Sequence, residues 1–346
     1  MCDFVALSWG SCVRKVNTLA IRSEHSAQMN LDCYVEIVHK PMKEKGEDAF
    51  ALNFESNAVH YHAVFDGCGG SGSWQYAEFN NATGAFVAAQ SMAKAFIDWS
   101  KSLSPEVLDD SEKTENSFHA MAQHVLSDLK RNCAPMKVSG SLVKSFPCTA
   151  SVSIAIPHID YLALTTLNVG DSRVYFIAPQ TGLVQLTVDD SQGDPDPMES
   201  LRDSAPLSDM LNADNPFQIK VRQVSLTYPC AIVTATDGVF GFFRSPMDFE
   251  YCLLDAIMHS SSFAQFEENF KNAIVKVTGD DSTCLISFYG WGSFDNLKRK
   301  MAKRYAEMRK MTESLDKAME NGLLDDLLES TWHTYKKQTL IDEMQG

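Results

Sequence analysis

Two apolar runs end in an aspartate followed by glycine: "HAVFDG" delivers Asp66 and Gly67, and "AIVTATDG" delivers Asp237 and Gly238. Two further apolar runs are entered through acidic pairs, Glu47-Asp48 in "KGEDAFAL" and Asp280-Asp281 in "VTGDDSTCLISF". One Asp-Gly by itself marks a turn. Four acidic ends on separate runs ask for more, because carboxylates beside buried strands repel one another unless a cation compensates them. Oxygen-only donors favour hard ions, Mg²⁺ or Mn²⁺, over zinc. Glycine after the aspartate lets backbone approach a ligand closely. The chemistry implied is that of a divalent-cation pocket.

The elements that must position these groups are legible as blocks. Residues 33–65 alternate apolar and polar side chains and predict strands. From Trp74 to about Trp99 the period becomes helical, with Phe79, Phe86, Ala89, Ala93, Phe96 and Ile97 three and four residues apart. A second helix is predicted near 117–131. Strands return as "TASVSIAI", "YLALTTLNV", "SRVYFIA" and "LVQLT", paired as antiparallel hairpins (148–157 with 161–168, 172–178 with 183–187) by short turns. Residues 189–216 hold four prolines and seven aspartates and predict a surface flap rather than core. More strands follow, then helices at 247–259 and 262–276 and a last strand, "STCLISFYG". The expected fold class is α+β: an antiparallel β-sandwich flanked by helix pairs, in α/β/β/α layers. The expected division is a catalytic domain over 30–292, with the flap inserted, and a C-terminal helical extension over 293–346.

The chain has 346 residues, 45% of them apolar, enough for a large core. Its formal charge of −15 argues against a nucleic-acid partner. Nine cysteines without C-x-x-C spacing fit reduced thiols. No apolar run is long enough to cross a bilayer, and the N-terminal charges are ordered wrongly for a signal peptide. A cytoplasmic protein with no membrane partner is expected.

In order along the chain stand Glu47-Asp48, Asp66-Gly67-Cys68-Gly69-Gly70, Cys148-Thr149-Ala150, Gly170-Asp171-Ser172-Arg173, "LTVDDS" at 186–191, Thr236-Asp237-Gly238 and Asp280-Asp281-Ser282-Thr283. This series resembles the metal-dependent protein serine/threonine phosphatases of type 2C, in a bacterial-like form, over about residues 30–290. The resemblance implies a hydrolase acting on phosphoserine and phosphothreonine of protein substrates. It implies two ions, Mn²⁺ or Mg²⁺, that activate a water for in-line attack on phosphorus. Asp66 would bridge the ions, Asp237 and Asp280 would complete one shell, and Glu47 or Asp48 with the Gly67 carbonyl would serve the other. Lys43 stands where the family carries a phosphate-binding arginine and would hold phosphate as a point charge.

Several positions depart from the pattern. Cys68 replaces a histidine common in eukaryotic members and is read as a small buried side chain filling the turn. Lys144 and Ser145 stand where a third metal would need an aspartate. Asp171 and Arg173 are read as a turn residue and a strand-edge ion pair, and His60 and His62 as structural. Asp281 replaces the usual asparagine, as an outer ligand or a solvated group. These departures motivate the alternative of a catalytically silent phosphatase-like binding or regulatory module; the retained carboxylates argue against it. The tail carries an apolar stripe of Leu297, Met301, Tyr305, Met308, Met311 and Leu315 that docks on its own domain or offers a partner or dimer contact.

Overall fold

The computed structural model describes residues 29–41, 46–134, 143–192, 196–202 and 205–339. Ten strands build two antiparallel sheets: β1 Leu31–His39, β2 Leu52–Ser56, β3 Val59–Val64, β4 Ala150–Pro157, β5 Leu162–Val169, β6 Arg173–Ala178, β7 Gly182–Gln185, β8 Lys220–Leu226, β9 Cys230–Ala235 and β10 Ser282–Tyr289. One sheet runs β1-β10-β9-β6-β7 and the other β8-β5-β4-β3-β2. Both predicted hairpins form, with Ile154 opposite Thr165 and Phe176 opposite Val184.

Side-chain alternation sorts each strand between two interiors. Along β4, Ala150, Val152 and Ile154 join the apolar cluster under helices α1 Gly84–Ser102 and α2 Ser111–Asn132. Along β9 and β10, Ala231, Val233, Ile286 and Phe288 face the opposite helical layer. That layer comprises α3 Pro246–Met258, α4 Phe263–Val277, α5 Phe294–Glu320 and α6 Leu324–Thr339. The remaining residues meet between the sheets, where Leu162, Val174, Phe176, Ile232 and Tyr289 form a third cluster. Each such fully buried aliphatic or aromatic side chain stabilises the fold by roughly 1.5–3 kcal/mol.

Caps fix where the helices begin. Thr83 accepts from the Phe86 N–H, Asp110 from Glu112 and Lys113, and Ser245, Ser262 and Ser293 each from the third residue of their helix. The helix predicted from Trp74 therefore starts only at Gly84. Asn80 and Asn81 adopt left-handed φ of 55° and 62°, and residues 75–76 and 82–83 pair as a small ribbon instead. Likewise α2 extends back to Ser111, because Asp110 caps it. The segment 189–216 is a flap only in part. Its helix Pro197–Arg202 buries Met198 in the core, and Leu211 is fully buried and bridges Cys148. Apolar residues spaced among the aspartates draw it inward.

The C-terminal stripe is covered by this chain itself. Met301, Met308 and Leu315 are fully buried in the cluster beneath α3, and Leu328, Trp332 and Tyr335 of α6 join them. Glu250 on α3 is buried and held by Arg304 through two hydrogen bonds of 2.6 and 2.7 Å and by the Tyr335 hydroxyl at 2.5 Å. No helix among the described residues is long and apolar enough to cross a membrane.

Candidate metal centre

Asp66 lies two residues beyond β3, where the chain leaves its sheet. Its carbonyl accepts from the Thr149 N–H at 2.8 Å, and the Cys68 N–H donates to Pro147 at 3.2 Å, so segment 147–149 pins the turn. Asp237 opens the helical turn Asp237–Phe240 directly after β9 of the other sheet. Asp171 sits in the connection from β5 to β6, where the chain crosses from one sheet to the other. One carboxylate oxygen from each of these three residues lies within 4.8 Å of the others. All three residues keep part of their surface open to solvent.

Asp48 acts on two members of this group, Asp66 and Asp237. It is 1% exposed, and its Oδ2 accepts from the Thr283 hydroxyl at 2.7 Å and the Thr236 hydroxyl at 3.0 Å. Its Oδ1 is buried with no hydrogen-bond partner among the described residues. Such an orphaned carboxylate oxygen is costly unless something positive occupies the space beside it.

Crowding shows in the acidities. Burial, then the repulsion of Asp48, Asp237 and Asp171, pushes the Asp66 carboxyl well above the usual range. Burial, with Asp237 and Asp189 nearby, does the same to Asp171 against the opposing pull of Arg173. Asp237 is raised by burial and by Asp280. Burial lifts Asp48 to about 7 even though Thr283 lowers it. Four mutually repelling acids drawn from both sheets, one with an unmatched oxygen, form a donor set suited to divalent cations.

The other expected residues lie around this core. Glu47 accepts from the Thr83 hydroxyl at 2.5 Å, and its carboxyl is raised by burial and by Asp281 and Asp280. A Cβ on Gly69 would fall 1.8 Å from Glu47 Oε2, so only glycine lets that side chain cross the loop. Gly67 is buried next to Asp66 and bridges Cys148. Asp280 is exposed and accepts from the Asp281 N–H at 2.7 Å; it lies outside the three-carboxylate group. Asp281 accepts from the Asp48 N–H at 3.3 Å, which gives it a structural task. Gly238 lets the 278–282 loop dock, since a Cβ there would lie 1.8 Å from the Asp281 carbonyl oxygen. Lys43 lies outside the described residues.

Three readings of individual residues change. Asp171 is a member of the carboxylate cluster rather than a turn residue alone; the signal was its place in the Gly-Asp-Ser-Arg series. Arg173 is not at a strand edge: it is 2% exposed on an interior strand, forks onto Asp189 at 2.9 and 2.6 Å, and lies 4.4 Å from the Phe240 ring. Cys68 is half-buried rather than packed away, and lines a 490 Å³ groove with Ser71, Lys144, Asp209, Met210 and Asn212. His62 is structural, fully enclosed between the sheets, 3.0 Å from the Ser287 hydroxyl. His60 is also buried, with its ring against Tyr289.

A four-layer sandwich whose two sheets converge on a carboxylate cluster able to hold a divalent cation is a frame suited to metal-dependent hydrolysis. The chain belongs to the Protein phosphatase 2C family, whose profile matches residues 39–274, more than half of its length. It is thus a metal-dependent protein serine/threonine phosphatase with Mn²⁺ or Mg²⁺ as cofactor. The fold is similar to that of serine/threonine phosphatase Stp1 from Staphylococcus aureus, at 14% identity and a TM-score of 0.56, covering 78% of this chain and 99% of that one. It is also similar to PppA from Pseudomonas aeruginosa, at 15% identity and a TM-score of 0.53, covering 76% and 99%. The Mycobacterium tuberculosis phosphatase PstP/Ppp matches at 14% identity and a TM-score of 0.50, covering 74% and 97%. At these identities the likeness is one of fold. No curated protein matches the chain.

Proposed function

We propose that the protein removes phosphate from phosphoserine and phosphothreonine in protein substrates by direct attack of water in line with the leaving oxygen. The observation that carries this reading is the meeting of Asp66, Asp171 and Asp237 within 4.8 Å, together with the unmatched, buried Asp48 Oδ1. Asp66 is the central donor, since Asp48, Asp237 and Asp171 all act on it. Asp171 and Asp237 would hold one ion with it. Asp48 or Glu47, with the Gly67 carbonyl, would serve a second, and Asp280, which acts on Asp237, would contribute from the rim. Divalent cations bound there supply positive charge that acidifies water and neutralises the transferring phosphoryl oxygens.

The chain's own groups do the rest. Thr236 and Thr283 orient the Asp48 carboxylate, and the Arg173 guanidinium, itself paired with Asp189, offsets part of the charge on Asp171 and Asp237. The groove beside Cys68 receives the polypeptide flanking the phosphoresidue, with the Lys144 ammonium on its wall. Lys43 meets phosphate as a point charge. The seven described cysteines are unpaired, which supports a cytoplasmic setting.

The test is hydrolysis of phosphoserine and phosphothreonine peptides with Mn²⁺, Mg²⁺ or chelator, beside Asp237→Ala. Turnover should require the cation and vanish in the variant. Wild-type turnover by Asp237→Ala would remove the assignment.

A further inference from the structure

The flap leaves and rejoins the domain through a short ladder. Ser191 bridges Leu207, the Gln192 N–H donates to the Pro206 carbonyl at 2.9 Å, and the Ser208 N–H donates to the Asp190 carbonyl at 2.9 Å. Gln192, Pro206, Leu207 and Ser208 also form one wall of the groove beside Cys68. Beyond the ladder, Asp196 starts the helix Pro197–Arg202: its Oδ1 accepts from the Met198 N–H at 2.9 Å.

The other oxygen of Asp196 is held from a distant part of the chain. Trp332 Nε1 donates to Oδ2 at 3.1 Å and Lys336 Nζ lies 3.3 Å from it, both on α6. The ion pair is mostly shielded, at 23% and 17% side-chain exposure, so it is less screened than a surface pair. Met198, in the first turn of the flap helix, is 1% exposed in the same apolar cluster as Leu328, Trp332 and Tyr335. Through Tyr335 and the Glu250–Arg304 pair, α6 is in turn fixed to α5 and α3. Contacts therefore run from the C-terminal helices to the flap helix, and the chain joins that helix to the groove wall at Gln192, four residues before Asp196.

We infer that Trp332 and Lys336 are positioning residues for the phosphopeptide: by gripping Asp196 they fix the flap and, through its ladder, the wall along which the substrate lies. This rests on the groove being the substrate's path to the metal centre. α6 begins 50 residues beyond the end of the family match, so the match does not account for this contact.

The test compares full-length wild type with Trp332→Phe, Lys336→Met and the double variant, which keep apolar bulk and remove the bonds to Asp196. Amide exchange at Met198 and Ser200, and at Gln192 and Ser208 in the wall, should accelerate about tenfold in the double variant, the factor for one lost charge-assisted hydrogen bond. Exchange in β9 and β10 should not change. With Mn²⁺, KM for a phosphothreonine peptide should rise several-fold while kcat/KM for p-nitrophenyl phosphate, too small to touch the wall, stays put. Unchanged exchange at Gln192 and Ser208 overturns the inference, as does an equal loss on both substrates, which would mark a merely structural role. If wild type hydrolyses neither substrate, the proposed function fails, while the exchange at Gln192 and Ser208 still decides the flap linkage.

Discussion

Thr283, the second residue of β10, donates its hydroxyl to Asp48 Oδ2 at 2.7 Å, joining positions 235 residues apart and tying one sheet of the sandwich to the other. The bond holds the buried carboxylate so that Oδ1, rather than Oδ2, is left for a cation. Thr283→Val keeps the shape and removes the donor. Stability in chelator should fall by about 1.5–3 kcal/mol, the range for a buried hydrogen bond to a charged group. Mn²⁺ affinity by calorimetry should weaken as well, because the freed carboxylate is harder to ionise. An unchanged affinity would mean that Asp48 takes no part in binding.

Protonation should govern the metal-free protein. Asp48 titrates near 3.8 when exposed and near 7 in the fold, because burial disfavours its charge. The folded state thus holds the proton more tightly, so this contribution is complete below pH 3.8 and is lost as pH rises through about 7. His62 acts in the opposite sense. Its folded value is lowered from 6.5 to about 3 by burial, so its contribution is present above 6.5 and lost as pH falls toward 3. In chelator, urea stability should decline toward both ends; Asp48→Asn should flatten the neutral limb and His62→Asn the acidic one. Identical pH profiles for the variants and the wild type would refute these roles.

Removing a cluster carboxylate should stabilise the empty protein and abolish its response to metal. Asp66→Asn relieves the repulsion from Asp48, Asp237 and Asp171. Its melting temperature in chelator should exceed that of the wild type. Added Mn²⁺ should raise the wild-type melting temperature and leave the variant's unchanged, by the linkage between binding and folding. A metal-induced rise in Asp66→Asn would place the ions elsewhere.

Adjacent glycines should respond differently. At Gly69 a new methyl would displace Glu47 Oε2, whereas at Gly70 nothing lies within 4 Å. Gly69→Ala should weaken Mn²⁺ binding and lower kcat on phosphopeptides with little change in melting temperature, since the side chain in the way is flexible. Gly70→Ala should match the wild type in both assays. Equal effects at the two positions would show that Glu47 does not serve the metal.

Arg173 is held in a buried fork with Asp189, at 2% and 4% side-chain exposure. Arg173→Met fills similar space but strands the Asp189 charge, a change that costs about 3–5 kcal/mol when a buried pair is broken on one side. Chemical denaturation should show that loss, and Asp189→Asn combined with Arg173→Met should recover part of it. No recovery would mean that packing against Phe240 and Tyr175, rather than charge, sets the cost.

The ordered series of acidic and glycine-bearing strand ends was readable because each is local: an apolar run, then Asp-Gly, needs no knowledge of what lies opposite. Alternation along strands such as β4 and β9 likewise gave the sandwich and its hairpins. Element starts were less legible where a single cap decides them. Thr83 rather than Trp74 opens α1, since the left-handed turn at Asn80 and Asn81 interrupts a run whose apolar period continues across it.

Sequence alone, then, determined the acidic inventory, the layered fold and the family, because these follow from residue type, period and order. Only the tertiary structure decided which carboxylates meet. It drew in Asp171 because the β5–β6 connection crosses between sheets at that end, and it left Asp280 on the exposed rim. It also buried the Met-rich stripe against α3 and tied α6 to Asp196. Those outcomes depend on distances between segments far apart in the sequence, by 140 residues for Asp196 and Lys336, which are set by packing rather than by neighbouring sequence.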